Sequence, residues 1–322
     1  MRLVYVVASA LLLACGMSPA MAQNYPAKPV RLIVGYPTGG VNDILARAIG
    51  DPLAAALGQT MIVDNRPGAN SSIGADLVAK AAPDGYTLFV TGTPFTINAS
   101  LYQKLPYDTL RDFAPVTQLA TGTFLLVVHP SLPARSVKEL IALAKRRPGE
   151  LNFCSAGQGA PPHLMGELFK LQTGIAMSHV PYKGAAPCVV DLLGGHIQVT
   201  FEAMAPLLPH VKAGKLRNLA VMSDRRSSVL PDVPTIEEST GIAGLSAATW
   251  YGIVAPAATP RPVVNRLNAA LVQVMGDAKM RQRMAEQGLD PVTGTPEELA
   301  SLLKAEVAKW ARVIKAAQVT VQ

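Results

Sequence analysis

Short apolar runs alternate with helix-length segments along most of this chain. That alternation constrains its fold more than any other feature. Val30–Gly35 reads as a strand and Tyr36–Asn42 as a loop containing Pro37, Thr38, Gly39 and Gly40. Asp43–Leu57 follows as a helix, with apolar residues at Ile44, Leu45, Ala48, Ile49 and Leu53 and with Asn42 placed to cap it. The unit recurs as strand Met61–Val63, loop Asn65–Ser72 and helix Ile73–Ala81, and a Pro83-Asp84-Gly85 turn leads to strand Thr87–Val90. Farther on, Ala114–Leu119 and Phe124–His129 read as strands, and Ser136 with Glu139 forms a capping box for a helix reaching about Lys145.

A second alternating set begins at strand Leu151–Cys154. It continues through loop Ser155–Pro162, helix Leu164–Leu171, strand Ser178–Val180, helix Ala185–Leu193 and strand Gln198–Phe201. Strands separated by helices pair in parallel and bury both faces under those helices. Two such sets, with no low-complexity linker between them, predict an α/β protein of two lobes joined by crossing strands, each lobe a helix-covered, mostly parallel sheet. Near the end, Thr295–Glu298 caps a last helix, whose stripe from Leu299 to Ile314 is packing surface.

The N-terminus has the order of an export signal. Arg2 is followed by the apolar run Leu3–Leu13, too short to span a bilayer, and then by the small-x-small pattern Ala20-Met21-Ala22. Cleavage there removes residues 1–22 and places the protein in the periplasm. Leu12-Leu13-Ala14-Cys15 also resembles a lipobox, which would anchor the chain through Cys15. The formal charge is +7. A basic balance without a basic block suits small anions better than nucleic acid, since Lys145-Arg146-Arg147 and Arg225-Arg226 lack interleaved aromatics. Cys154 and Cys188 would be the two cysteines left after cleavage, free to form one disulfide or to stay as buried thiols.

Catalytic signatures are sparse. Gly244-Leu245-Ser246-Ala247-Ala248 lacks the last glycine of a nucleophile elbow, and Gly157-Gln158-Gly159 runs into Ala160-Pro161-Pro162 instead of completing a dinucleotide motif. No histidine pair has helical metal-ligand spacing, so neither a metal nor a cofactor is expected. What remains is a pair of loops at strand C-termini, Tyr36–Asn42 and Ser155–His163, each followed by a helix. Ligands of open α/β sheets bind at that edge, and helix N-termini there suit carboxylates. The same loops also read as ordinary tight turns.

Several motifs stand in order along the chain. They include Tyr25-Pro26-x-Lys28-Pro29-Val30-Arg31, Pro37-Thr38-Gly39-Gly40, Asp64-Asn65-Arg66-Pro67-Gly68-Ala69 and Ala82-Pro83-Asp84-Gly85-Tyr86-Thr87-Leu88. Asp112-Phe113-Ala114-Pro115-Val116, Val180-Pro181-Tyr182-Lys183-Gly184 and Leu230-Pro231-Asp232-Val233-Pro234-Thr235 continue the series. Together they resemble the Bug family, the TctC-type receptors of tripartite tricarboxylate transporters. The resemblance covers essentially the whole mature chain.

The resemblance implies a monomeric periplasmic Venus flytrap, with residues 23–125 and 249–322 in one lobe and 126–248 in the other. It would close on a small organic anion and deliver it to membrane permease subunits, or to a sensor kinase. The implied contacts are Tyr36, Pro37, Thr38, Gly39, Gly40 and Asn42 in the first loop, and Thr91 and Thr93 in a second loop over 91–96. From the facing lobe would come Ser155, Ala156, Gly157, Gly159, Ala160 and His163, the Tyr182-Lys183-Gly184 turn, and Glu202. Thr38, Val41 and Asn42 depart from the family's usual Pro-Pro-Gly-Gly-Gly-Ser/Thr-Asp. Ala160, Pro161 and Ala205 stand where hydroxyls are common, and Glu202 where Asp is. Fewer hydroxyls imply a ligand less polar at its far end, such as an aromatic or branched monocarboxylate, or one with an amine or hydroxyl in reach of Glu202. The rival reading is a hydrolase on the same scaffold, using Ser155 with His163.

Overall fold

The computed structural model describes residues 25–243, 245–246 and 248–317. The expected leader over 1–22 and Cys15 lie outside the described residues. The chain opens β1 (Val30–Val34), α1 (Val41–Leu57), β2 (Met61–Asn65), α2 (Ser72–Ala79), β3 (Thr87–Gly92), α3 (Thr93–Leu101) and β4 (Phe113–Thr123). It continues β5 (Leu125–Val128), α4 (Val137–Arg146), β6 (Asn152–Ser155), α5 (Pro161–Thr173), β7 (Ser178–Pro181), α6 (Ala185–Leu193), β8 (Val199–Thr200), α7 (Met204–Lys212) and β9 (Arg217–Val221). It ends α8 (Ile236–Thr240), β10 (Ala248–Pro256), α9 (Arg261–Gly276), α10 (Ala278–Glu286), β11 (Leu289–Pro291) and α11 (Pro296–Ala317).

Two sheets result, in the order β11-β4-β10-β3-β1-β2 and β7-β6-β8-β5-β9. This is a two-lobed α/β fold. Pairing is parallel within β2-β1-β3 and β7-β6-β8, where helices connect the strands. It is antiparallel where β10 joins β3 and β4, and where β5 joins β8 and β9. The chain passes from the first sheet to the second with only Phe124 between β4 and β5, and returns through β10.

The strands explain why both sheets are covered on both sides. In β1, Leu32 and Val34 enter one apolar cluster while Ile33 enters another. In β5, Leu126 and Val128 face one way and Leu125 and Val127 the other. Continuous apolar runs of this kind mark strands buried on both faces. One core runs through both lobes, from Leu32 to Phe153 and Phe201. In this arrangement α5 of the second lobe packs against α3 and α11 of the first.

Four helix starts carry side-chain caps, Asp277 among them, accepting the Lys279 and Met280 N–H groups at the start of α10. Ser136 accepts the Glu139 N–H at 3.2 Å, while Glu139 reaches the Arg135 N–H at 2.7 Å. Thr235 with Glu238 and Thr295 with Glu298 make reciprocal boxes. Among the described residues, no helix is long and apolar enough to cross a membrane.

Candidate functional site

Each sheet reverses its strand order beside one strand, β1 in the first and β6 in the second, and the two reversal points face one cavity. Open α/β sheets bind ligands in the crevice at such points. Tyr36, Gly40, Val41 and Asn42 line the cavity from the first lobe, Ala156, Pro161 and Pro162 from the second. Phe124, Thr249 and Tyr251 line it from the connecting strands, and Glu202 stands at the end of β8. The enclosed space is about 60 Å³, room for a few waters. A larger open groove of about 890 Å³ lies on the hinge side, with Arg225 and Arg226 beside Asp224 and Asp290, and contains no buried unpaired polar atom among the described residues.

The first loop is held from below by Asp43. This buried carboxylate accepts the Gly39 N–H at 3.0 Å and an Asn65 amide N–H at 3.0 Å, and pairs with Arg47 at 3.0 Å. Those hydrogen bonds hold its carboxyl below the usual range even though burial opposes them. Asn65 also donates to the Tyr36 carbonyl at 2.9 Å, and the Tyr36 phenol donates to Asn70 at 2.6 Å. Asn70 in turn donates to Asn98 at 2.8 Å. Ala69, Asn70 and Ser71 all have positive φ (45°, 49° and 72°), so strained backbone supports this wall of the cleft.

That network leaves α1 with a free end. The Gly39 N–H is spent on Asp43, but among the described residues the Val41 and Asn42 N–H groups bond to no loop or side chain. Helix N-termini carry such orphan donors and a partial positive charge. The helix starts of the other lobe are poorer in donors. Pro161 and Pro162 occupy the first turn of α5, Pro187 that of α6 and Pro206 that of α7. Proline has no N–H. Ala185 at the start of α6 also lines the cavity, and among the described residues the Ala185 and Ala186 N–H groups, like those of Val41 and Asn42, bond to no loop or side chain.

Glu202 has the opposite character. It is 4 % exposed; its Oε1 accepts the Ala203 N–H at 2.8 Å, while its Oε2 has no hydrogen-bond partner. Burial raises the carboxyl to about 7, offset only in part by that hydrogen bond.

Of the residues implied by the resemblance, the cavity gathers Tyr36, Gly40, Asn42, Ala156 and Glu202. Pro37 and Gly39 sit at the rim instead. A Cβ on Gly184 would lie 2.8 Å from Pro37 Cδ, and one on Gly159 would lie 2.1 Å from Leu101 Cδ2. These are contacts between lobes, and they need glycine for space as well as for φ. Thr38 is exposed.

The expected second loop over 91–96 is not a loop, because Thr91 ends β3 and Thr93 begins α3. The Thr93 hydroxyl is spent on Thr249 at 2.9 Å and on the Trp250 N–H at 3.2 Å. Gly157 and Ala160 close their own turn at 3.1 Å. Tyr182 donates to Asp191, Lys183 is exposed, and neither lines the cavity. Val41 and Pro94 fall within the two expected segments, whereas Phe124, Ala185, Ala203, Thr249 and Tyr251 were not anticipated.

The Ser155–His163 pairing does not form. Ser155 Oγ meets His179 Nε2 at 2.7 Å instead, while His163 Nδ1 accepts the Gly159 N–H at 3.0 Å. Ser155 is fully buried and donates its proton to the Gly157 carbonyl at 2.9 Å, so His179 is the donor to Ser155. That polarity is the reverse of a nucleophile and its base. Among the described residues no cluster of His, Cys, Asp and Glu could hold a metal.

His179 stacks on His163 with ring centroids 3.8 Å apart. Burial, then His163 and Lys170, push the His179 imidazole down to about 3. The unfolded chain binds this proton near pH 6.5, the folded chain only near 3. Stability from this group is therefore full above pH 6.5 and is lost as pH falls toward 3. We expect His179→Gln to flatten the decline of urea midpoints between pH 6.5 and 4. An unchanged slope would place the acid sensitivity elsewhere.

The Cys154 and Cys188 sulfurs lie 2.08 Å apart, at bonding distance. The bridge ties β6, which leads into the Ser155–Pro162 loop, to α6, which follows the Tyr182-Lys183-Gly184 turn.

Two α/β lobes meeting over a cavity at their strand C-termini define the class of two-lobed solute-binding proteins. Residues 45–319 match the family described as tripartite tricarboxylate transporter family receptor, TctC. The chain is 38 % identical to Protein BugT of Bordetella pertussis over 98 % of its own length and 97 % of that protein's. Among solved structures, R. palustris Rpa4515 with adipate superimposes with a TM-score of 0.89 at 36 % identity, covering 92 % of this chain and 99 % of the other. The periplasmic binding protein BugD gives 0.89 at 33 % identity, over 92 % and 100 %. The chain belongs to the TctC family of solute-binding receptors.

Proposed function

We propose that this protein is exported by a signal peptide over residues 1–22 and works in the periplasm as a monomeric receptor that captures a small carboxylate for the permease of a tripartite transporter. Residues 23–125 and 249–322 form one lobe in this reading, and 126–248 the other. One observation carries the ligand class: the unspent N-terminal amides of α1 open onto a cavity whose other walls are largely apolar. The ligand carboxylate docks on the Val41 and Asn42 N–H groups, and its body lies against Pro94, Phe124, Pro161 and Tyr251. The space between the lobes is narrow, about 60 Å³, and in this reading binding proceeds by opening, docking and closure. Binding of adipate by the relative Rpa4515 supports a carboxylate ligand. Ala160, Pro161 and Ala205, standing where hydroxyls are common, leave the second lobe fewer side-chain donors for a second carboxylate at the ligand's far end.

The test is a thermal-shift screen on mature protein freed of carried ligand by unfolding and refolding. Its panel holds monocarboxylates, dicarboxylates, tricarboxylates, amino acids and neutral sugars. A ligand at about a hundred times its dissociation constant adds roughly 2.7 kcal/mol, which is several degrees here. Shifts confined to carboxylates are expected. Shifts with sugars alone would overturn the reading.

Val41→Pro tests the docking point. Val41 is the first residue of α1, where proline is tolerated, and Gly40 (φ −77°, ψ 164°) already has the conformation that precedes proline. The substitution deletes one N–H and should leave the fold intact. A hydrogen bond to a charged group contributes about 1.5–3 kcal/mol, so the dissociation constant should rise roughly 10- to 100-fold. Val41→Ala controls for the lost side chain. Equal effects of the two by calorimetry would remove the amide from the site.

A further inference from the structure

Glu202 is the polar group that the reading above leaves unused, and it is an unusual group to bury beside a carboxylate. Glu202 lines the cavity, its Oε2 is buried and has no partner, and its Oε1 is satisfied by the Ala203 N–H. A native structure pairs nearly all such atoms, so an orphan in a binding cavity is best explained by a missing ligand group. The cavity lining contains no Lys, Arg or His. No side-chain cation in the wall therefore balances an ionised Glu202 or a ligand anion; the positive potential comes from helix N-termini alone, α1 from the first lobe and α5, α6 and α7 from the second.

The phenols that feel its charge, Tyr36 from the first loop and Tyr251 from β10, are held protonated by burial. Tyr36 donates away from Glu202, to Asn70. On β8 the Thr200 hydroxyl is spent on the Cys154 carbonyl at 3.0 Å, and the first turn of α7 is apolar apart from the Ala203 N–H before it. The charged and titratable side chains of α5 are engaged elsewhere, His163 with Gly159 and Glu167 with Lys170. A dicarboxylate entering this cavity would bring two negative charges to a third. A ligand with one carboxylate and one ammonium would meet complementary groups at both poles and would be buried with no net charge.

Resting on the carboxylate reading above, we propose that the far end of the ligand is a protonated amine that donates to Glu202 Oε2, so that the receptor selects amino-carboxylates over dicarboxylates of equal length. The ionised carboxylate is the form that binds. Because burial holds Glu202 near 7 in the empty protein, capture of the amine releases a proton when the pH is lower. Affinity for an amino-carboxylate should therefore fall as pH drops through 7. A dicarboxylate would need Glu202 protonated, and its affinity should rise over the same range. The sign of the pH dependence separates the two chemistries.

The experiment is calorimetric titration of the mature protein at pH 6 and pH 8 with three matched series. The first is 4-aminobutanoate, 5-aminopentanoate and 6-aminohexanoate. The second is glutarate, adipate and pimelate, and the third pentanoate, hexanoate and heptanoate. The amino series is expected to bind most tightly, with at least one member about tenfold weaker at pH 6 than at pH 8. Glu202→Gln should weaken that member at least tenfold at pH 8 and abolish the pH dependence. The pH comparison uses the unmodified protein, so it does not depend on how the variant folds.

Dicarboxylates that bind more tightly than their amino counterparts, and tighter still at pH 6, would overturn the proposal and make Glu202 a proton donor. Alkanoates that bind as well as the amino series, with Glu202→Gln neutral, would also overturn it. Either result leaves the carboxylate receptor standing. Absence of binding across all three series would sink both.

Discussion

Reduction of the Cys154–Cys188 bridge is expected to lower the stability of the folded protein by about 4 kcal/mol. The estimate comes from loop closure: a bridge spanning 34 residues removes about that much chain entropy, as free energy at 25 °C, from the unfolded ensemble. Both cysteines are fully buried, and the bond joins β6 to α6 inside the apolar cluster around Leu125, Val127 and Leu192. The check is guanidinium denaturation of one preparation with and without reductant. The midpoint should fall and the slope should steepen modestly, because the unbridged unfolded chain exposes more surface. A thiol count on denatured, unreduced protein should find neither cysteine free. Two free thiols, or a midpoint indifferent to reductant, would remove the bridge. Reduction should also loosen the Ser155–Pro162 loop and the Tyr182-Lys183-Gly184 turn, because the bond ties together the elements that carry them.

Glu202→Gln is expected to make the unliganded protein more stable at pH 8 by about 3 kcal/mol. The folded carboxyl titrates near 7, against an ordinary value of 4.5. Below 4.5 it is protonated in both states and burial costs nothing electrostatic. Between 4.5 and 7 the folded chain holds a proton that the unfolded chain has lost, so stability falls as pH rises. Above 7 the loss is complete, and a shift of this size corresponds to about 3 kcal/mol at 1.36 kcal/mol per pH unit. Glutamine keeps the shape, and its carbonyl can accept the Ala203 N–H, but it has no charge to desolvate. The gain should therefore be near zero at pH 4.5, grow through pH 6 and level off above 7. Denaturant midpoints at four pH values would show it. A gain that does not vary with pH would mean that the Glu202 carboxyl titrates alike in the folded and unfolded chains. A residue that weakens the fold where it meets a ligand is a common signature of a binding site.

Much of the framework was legible in the residues. The run at Val30–Val34, the Pro37–Gly40 loop and the periodicity from Ile44 to Leu53 placed a strand, a loop and a helix nearly where they lie. Hydrophobic period and turn residues act locally, so they survive in the linear order. The reading erred where a polar residue had a choice of partners. Thr91 and Thr93 looked like a loop, but packing of Pro94, Phe95 and Ile97 drew the segment into a helix. Ser155 and His163 share a loop, yet β6 and β7 pair so that His179 reaches the serine. Pro161 was read as a missing hydroxyl, while its larger effect, with Pro162, is to remove N–H donors from the start of α5.

The amino-acid order by itself determined the α/β class, the two-lobe organisation, the anion-suited end of α1 and the presence of an acid at position 202. Each follows from periodicity, backbone chemistry or a family pattern. Only the tertiary structure decided that Glu202 Oε2 is left without a partner, that Tyr251 and Thr249 join Tyr36 around one cavity, and that Tyr182 and Thr93 are spent elsewhere. The physical reason is competition. A polar side chain takes whichever partner folding brings within hydrogen-bond distance. Strands β8 and β10, far apart in the chain, carry Glu202 and Tyr251 to the same cavity wall.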